Sequence, residues 1–208
     1  MKPQYGELIS ILVIGLLQPV IEILWNSRIS TYYNGIAVVL VLGYVIVRIL
    51  RTGGSVLHLW GLRVDNLRQC LFPYLVLTAI GGVAVYGYGW FAGNTPLPVG
   101  FWYLLMAYPI WGIAQQFVLQ NFVAKNLTTL VPSIATRSLV TAVLFACAHI
   151  PSVELVIVTF VAGLIFTVLY HSYPNLLVLG FVHGILGALV FHLVLGQNQW
   201  MILIQYFL

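Results

Sequence analysis

The chain has 208 residues, of which 62% are hydrophobic and only 6% are Asp, Glu, Lys or Arg. A soluble domain usually carries about 25% charged residues, so this composition excludes a water-exposed surface and predicts an integral membrane protein. The net charge of +4 comes from basic residues scattered through short loops. Without a basic stripe or a nucleic-acid-binding motif, this charge does not indicate a nucleic-acid partner.

Long apolar segments predict an all-α fold, namely a polytopic transmembrane helix bundle with about seven spans in a single domain over residues 1–208. About 20 mainly apolar residues cross the hydrocarbon core of a bilayer as a helix. The first apolar segment shows no small-residue cleavage site, so we interpret it as a retained span and not as a signal peptide. In chain order, the predicted spans are 6–25, 34–51, 69–92, 99–129, 135–150, 153–171 and 174–196.

Two of these spans depart from a simple helix of membrane length. The fourth is too long for one straight span, and we expect its end, residues 121–127, to project past the lipid headgroups. The fifth is short and stops at Pro151, since proline cannot extend the interior of a helix.

Loop charges predict the orientation, because cytoplasmic loops carry an excess of Lys and Arg. If seven spans alternate, the basic loops all fall on the side of the N-terminus, which is therefore predicted to be cytoplasmic. We expect the plasma membrane of a prokaryotic cell. The basic residues on that side are Lys2, Arg51, Arg63, Arg68, Lys125 and Arg137.

Five polar side chains lie inside the apolar segments: Gln115, Gln116, Gln120, His149 and His183. Polar groups at membrane depth are costly and by default indicate a functional site. Gln116 and Gln120 are four residues apart and share a helix face, whereas Gln115 lies about 100° away. A buried amide without a partner costs about 1–3 kcal/mol, so we expect these groups to meet inside the bundle. They could equally be hydrogen bonds that only join helices, worth about 0.6–2 kcal/mol each.

The same residues form three short motifs in a fixed order. In that order they resemble the motifs of the CPBP family, the CAAX proteases and bacteriocin-processing enzymes also called the Abi family. The usual family pattern is Glu-Glu-x-x-x-Arg, then Phe-x-x-x-His, then His-x-x-x-Asn or Asp. The resemblance covers residues 60–195 and extends to the segments "WGLRVDNL" and "YPNLLVLGFVHG". The motifs of this chain are Gln115-Gln116-x-x-x-Gln120, Phe145-x-x-x-His149 and His183-x-x-x-Gly187.

The resemblance implies a CAAX-protease-like helical membrane bundle that cleaves peptide bonds within the membrane. In such proteins a glutamate and the histidine of the second motif activate a water molecule, and the third motif stabilises the oxyanion. Carried over by position, His149 is the partner of the general base and His183 is an oxyanion donor. Gly187 stands where the family has asparagine, and it has no side chain that could donate a hydrogen bond.

The first motif departs from the family pattern, since Gln115 and Gln116 replace the glutamate pair and Gln120 replaces the arginine. A carboxylate can take a proton from water, whereas an amide cannot at neutral pH. Losing only one partner of a buried ion pair would leave an uncompensated charge, which is strongly destabilising. The joint exchange therefore predicts a preserved scaffold that lacks its usual base.

Other side chains could replace this base only in special arrangements. Glu154 could approach His149 only if the loop after Pro151 folds inward, and Cys147 lies about 200° around the helix from His149. Two histidines are too few for catalytic zinc, which normally has three protein ligands. We therefore predict neither a metal nor a cofactor.

Three functions remain open from the sequence. The first is an intramembrane endopeptidase with altered first-motif chemistry, acting on a peptide or a lipidated protein. The second is a catalytically impaired pseudoprotease that binds a peptide, a lipidated chain end or a lipid in the same cavity. The third is a small transporter or channel subunit. Membrane lipid is a partner in each case, and the sequence leaves the oligomeric state open.

Overall fold

The computed structural model describes residues 4–25 and 27–205, without the side chains of Ser27 and Leu203. Every regular element in these residues is helical, as predicted. The α-helices are α1 (Tyr5–Leu24), α2 (Ser27–Thr52), α3 (Ser55–Leu59), α4 (Leu67–Phe91), α5 (Val99–Phe117), α6 (Ile134–Cys147), α7 (Val153–Ser172), α8 (Leu176–Leu189) and α9 (Gln199–Gln205). Two π-helical segments, π1 (Val118–Ala124) and π2 (Val190–Val194), and a 3₁₀ turn (Asn126–Thr128) lie between them.

Within residues 4–25 and 27–205, five stretches are long and apolar enough to cross a membrane, so the protein is an integral membrane protein. They are α1, α2, α4, α7 and the continuous stretch of α8 with π2. The other two predicted spans correspond to α5 and α6, and α6 has only 14 residues. The cytoplasmic position of the N-terminus stays a prediction, and Lys2 lies outside the described residues.

The predicted fourth span does not continue as one helix. It changes from α5 to π1 after Phe117, and residues 121–127 are buried in the protein apart from Lys125. The position of this segment relative to the lipid headgroups stays a prediction. Within the protein it is fixed by hydrogen bonds, because Asn121 donates to the carbonyl of Trp60 at 3.1 Å and Lys125 donates to the carbonyl of Leu59 at 2.8 Å.

The described chain forms two compact units. The first contains the described residues up to Leu62 together with Val118–Ser172, and within it α6 packs against α7 and α1 against α2. The second contains Arg63–Phe117 together with the described residues from Tyr173 onwards, and within it α5 and α4 pack against α8.

Within the second unit, α5 and α8 touch through their backbones. A Cβ atom on Gly112 would overlap the carbonyl oxygen of Gly180 and lie 2.8 Å from the nitrogen of Gly184. A Cβ atom on Gly184 would likewise overlap the Cα of Pro109. Small residues four apart allow such close approach in membrane helices, where van der Waals packing is the main attraction. This contact sets α5 against the turn of α8 that carries His183.

The start of α8 is held by buried side-chain amides. The Oδ1 of Asn175 accepts from the backbone N–H of Val178 at 3.0 Å and so caps the helix. Its Nδ2 donates to the carbonyl of Arg63 at 2.9 Å and to the Oδ1 of Asn66 at 2.8 Å. The Nδ2 of Asn66 donates in turn to the carbonyl of Pro174 at 3.1 Å. These bonds explain why the segments before α4 and before α8 occur together in the sequence pattern.

The glycine contact predicts that Gly184→Ala destabilises the second unit. The added methyl group would meet the backbone of Pro109, which cannot rotate away, and overpacking of this kind costs about 1–3 kcal/mol. We expect the Tm in detergent micelles to fall by several degrees.

Gly43→Ala in α2 is the matched control, because a Cβ atom there would have no neighbour within 4 Å. Its Tm should be unchanged or slightly higher. Equal Tm values for the two alanine variants would contradict the close helix contact.

Candidate functional site

In the second unit, Gln116 and His183 form a buried amide–imidazole pair. Nε2 of Gln116 lies 2.7 Å from Nδ1 of His183, and the glutamine is 0% exposed. When the amide nitrogen donates, Nδ1 must accept, so the neutral imidazole carries its hydrogen on Nε2. In that arrangement Nε2 of His183 is an N–H donor.

In the first unit, His149 is fixed by Phe145. Its Nδ1 lies 2.7 Å from the carbonyl oxygen of Phe145. A carbonyl oxygen only accepts, so Nδ1 must carry the hydrogen, and in the neutral ring Nε2 keeps the lone pair. The backbone N–H of His149 bonds instead to the carbonyl of Ala146, at the end of α6.

The aromatic ring of Phe145 also positions His149. The two rings meet edge to face, with centroids 4.8 Å apart. The spacing Phe-x-x-x-His thus has a physical reason, because residues four apart stack along a helical turn. Backbone and ring of Phe145 together leave Nε2 as the basic atom of His149.

The three glutamines of the first motif have different environments. Nε2 of Gln120 donates to the hydroxyl of Thr167 at 3.4 Å, and both side chains are 2% exposed. Gln116 pairs with His183 in the other unit. Gln115 is half-buried, and its amide bonds to none of the described residues. The shared face predicted for Gln116 and Gln120 stays a prediction. The convergence of the three motifs on one cavity stays a prediction.

Tyr108 occupies the space beside Gly187, in the second unit. A Cβ atom on Gly187 would lie 2.7 Å from Cε1 of Tyr108 and 3.2 Å from its Cδ1. On another side the tyrosine ring meets Phe191 edge to face, with centroids 5.6 Å apart. Tyr108 was not predicted from the sequence to be a site residue, although its spacing from Gln115 was a signal. It precedes Gln115 by seven residues, which places both on one helix face.

The side chains considered as replacement groups lie elsewhere in the first unit. Glu154 is exposed and accepts a hydrogen bond from the hydroxyl of Ser152 at 3.1 Å. Cys147 lines an apolar groove of about 340 Å³ between α6 and α7. Residues 4–25 and 27–205 contain no cluster of three His, Cys, Asp or Glu side chains that could hold a metal ion.

The three motifs lie in a segment of the chain that matches a known protein family. Residues 96–189 match the family of type II CAAX prenyl endopeptidase Rce1-like proteins, and the matched segment contains all three motifs. No curated protein and no solved structure matches the chain. The match of residues 96–189 supports the CPBP family of CAAX proteases and bacteriocin-processing enzymes, which the order of the three motifs had predicted.

Proposed function

We propose that this protein is an intramembrane endopeptidase that hydrolyses a peptide bond in a lipidated protein or peptide. The family model that matches residues 96–189 supports a CAAX-protease-like function. The observation that carries the finer proposal is the bond from Nδ1 of His149 to the carbonyl of Phe145, which leaves Nε2 as a base. The substrate class follows from the description of the matched family, which acts on CAAX prenyl proteins.

His149 acts as the general base in this proposal. Nε2 takes a proton from water while the water oxygen attacks the carbonyl carbon of the scissile bond. The resulting imidazolium gives this proton to the amide nitrogen as the carbon–nitrogen bond breaks, so the ring returns to its neutral form. A positioned histidine of this kind contributes about 10²- to 10⁴-fold to a reaction rate.

His183 acts as the electrophilic group. Its Nε2–H donates to the oxygen of the scissile carbonyl, where negative charge develops in the transition state. Gln116 keeps the hydrogen on that nitrogen, since the amide fills the acceptor site at Nδ1. We assign both histidines to one reaction because of the order of the motifs in the sequence.

A second candidate function is binding without cleavage. Amides occupy positions 115 and 116, and Gln116 is already engaged by His183. With no carboxylate at these positions, the imidazolium formed at His149 lacks the usual charged partner. The same groups would then hold the carbonyl of a lipidated chain end without hydrolysing it.

The assignment of the base predicts the effect of His149→Gln. The probe is a fluorogenic peptide ending in a farnesylated CAAX sequence, presented to the protein in liposomes. We expect kcat to fall by about 10²-fold or more, since glutamine cannot take up the proton. His171→Gln removes an exposed imidazole in the same unit and should leave kcat unchanged. A kcat for His149→Gln equal to that of the control would refute the role of the base.

The environments of the glutamines differ, and this difference predicts at which position a carboxylate would raise the activity. Gln115→Glu puts a carboxylate at the accessible position, whereas Gln116→Glu places one against His183. We expect Gln115→Glu to raise kcat/KM by about 10²-fold, because it restores a proton acceptor. The triple change Gln115→Glu, Gln116→Glu and Gln120→Arg should be at least as active.

Gln69→Glu is the matched control, because it adds the same charge at an exposed position of α4. A gain with this variant would point to charge alone. Peptide binding without cleavage in every variant, including the triple change, would favour the binding function over the peptidase.

A further inference from the structure

The ring of Tyr108 packs against α8 at Gly187, where there is no side chain to displace it. Any Cβ atom at that position would lie 2.7 Å from Cε1 of the tyrosine, closer than such atoms approach in folded proteins. Phe191 supports the ring on another side. The glycine therefore creates the place in which the tyrosine sits.

The hydroxyl of Tyr108 has no hydrogen-bond partner among residues 4–25 and 27–205. A tyrosine inside a protein usually finds a partner for its O–H. Tyr108 is half-buried, and its oxygen is not among the fully buried polar atoms that lack a partner in residues 4–25 and 27–205, so it keeps some accessible surface. Its O–H is therefore a donor that no described residue uses.

Tyr108 also borders the ring of His183. The Cβ position of Gly187 that lies 2.7 Å from the tyrosine lies 3.8 Å from Cδ2 of His183. The two rings thus both border the Cβ position of Gly187, one turn of α8 after the histidine.

We propose that the Tyr108 hydroxyl is a second donor to the carbonyl oxygen of the substrate, beside Nε2–H of His183. This rests on the proposed peptidase function. Gly187 supplies no donor from α8, and the phenol of α5 supplies one instead. The phenol only donates a hydrogen bond and keeps its proton throughout. As a neutral group it also adds no charge at membrane depth.

The direct test is Tyr108→Phe, which keeps the ring against Gly187 and removes only the hydroxyl. Loss of one such donor typically lowers kcat about 10²-fold, and we expect at least about 10-fold with little change in KM. Tyr103→Phe is the control, because Tyr103 lies on the same helix with an exposed ring that contacts Trp200, 5.4 Å between centroids. It should leave kcat unchanged.

A double-mutant cycle separates this role from packing. Gly187→Ala would push the tyrosine ring away, so it should lower kcat as Tyr108→Phe does. If the loss comes from the hydroxyl, the double variant should be no slower than Tyr108→Phe alone. A full additional loss in the double variant would show that Gly187 and Tyr108 only support the fold.

The outcomes for the tyrosine and for the peptidase can be told apart. The assays are run with the natural sequence and with Gln115→Glu. Cleavage in either background with Tyr108→Phe within twofold of its parent overturns the role of Tyr108 and leaves the peptidase intact. No cleavage in either background overturns the peptidase. In that case the affinity for a farnesylated peptide aldehyde decides, and equal affinity with and without the hydroxyl, or no binding at all, overturns the role of Tyr108.

Discussion

The backbone contact between α5 and α8 is the constraint on which the described site of the second unit depends. Gly112, Gly180 and Gly184 let the two helices approach without side chains between them. The pair of Gln116 and His183 can form at 2.7 Å only because their helices are this close. The hydrogen bond between Gln116 and His183 thus depends on glycines that have no side chain. Replacing one of these glycines would displace the pair.

Three neutral pairs hold polar side chains of the motifs. An amide meets an imidazole, an imidazole meets a backbone carbonyl, and an amide meets a hydroxyl. Each pair provides a buried polar atom with a hydrogen bond and requires no charged group inside the protein. A charged group would have to be desolvated, which costs several kcal/mol even when the ion is paired. The three glutamines, which stand where the resemblance implies two glutamates and an arginine, follow the same rule. They keep hydrogen-bonding capacity at the three positions and carry no charge.

Composition was sufficient to predict a helical membrane protein, and motif order was sufficient to predict the family that residues 96–189 match, because apolar length and motif spacing are local properties. The partners of the polar residues were harder to predict. The change from α5 to π1 after Phe117, between Gln116 and Gln120, has no signal in the spacing of the apolar residues. Tyr108 was not predicted to be a site residue, because an aromatic side chain in an apolar helix usually only packs against its neighbours. The role that we propose for it depends on Gly187, which is far away in the sequence, and only the folded structure shows that contact.

The neutral site has a chemical consequence for the reaction. When His149 takes a proton, the carbonyl of Phe145 stabilises the positive ring as a dipole, whereas a carboxylate would do so as a full charge. The imidazolium is therefore less stable, and His149 is a weaker base than it would be beside an acid. Donors at the carbonyl oxygen then matter more, because they stabilise the other charge that forms in the same step. In the reaction that we propose, a site without an acid at positions 115 and 116 depends on His183 and on Tyr108 for most of the remaining acceleration.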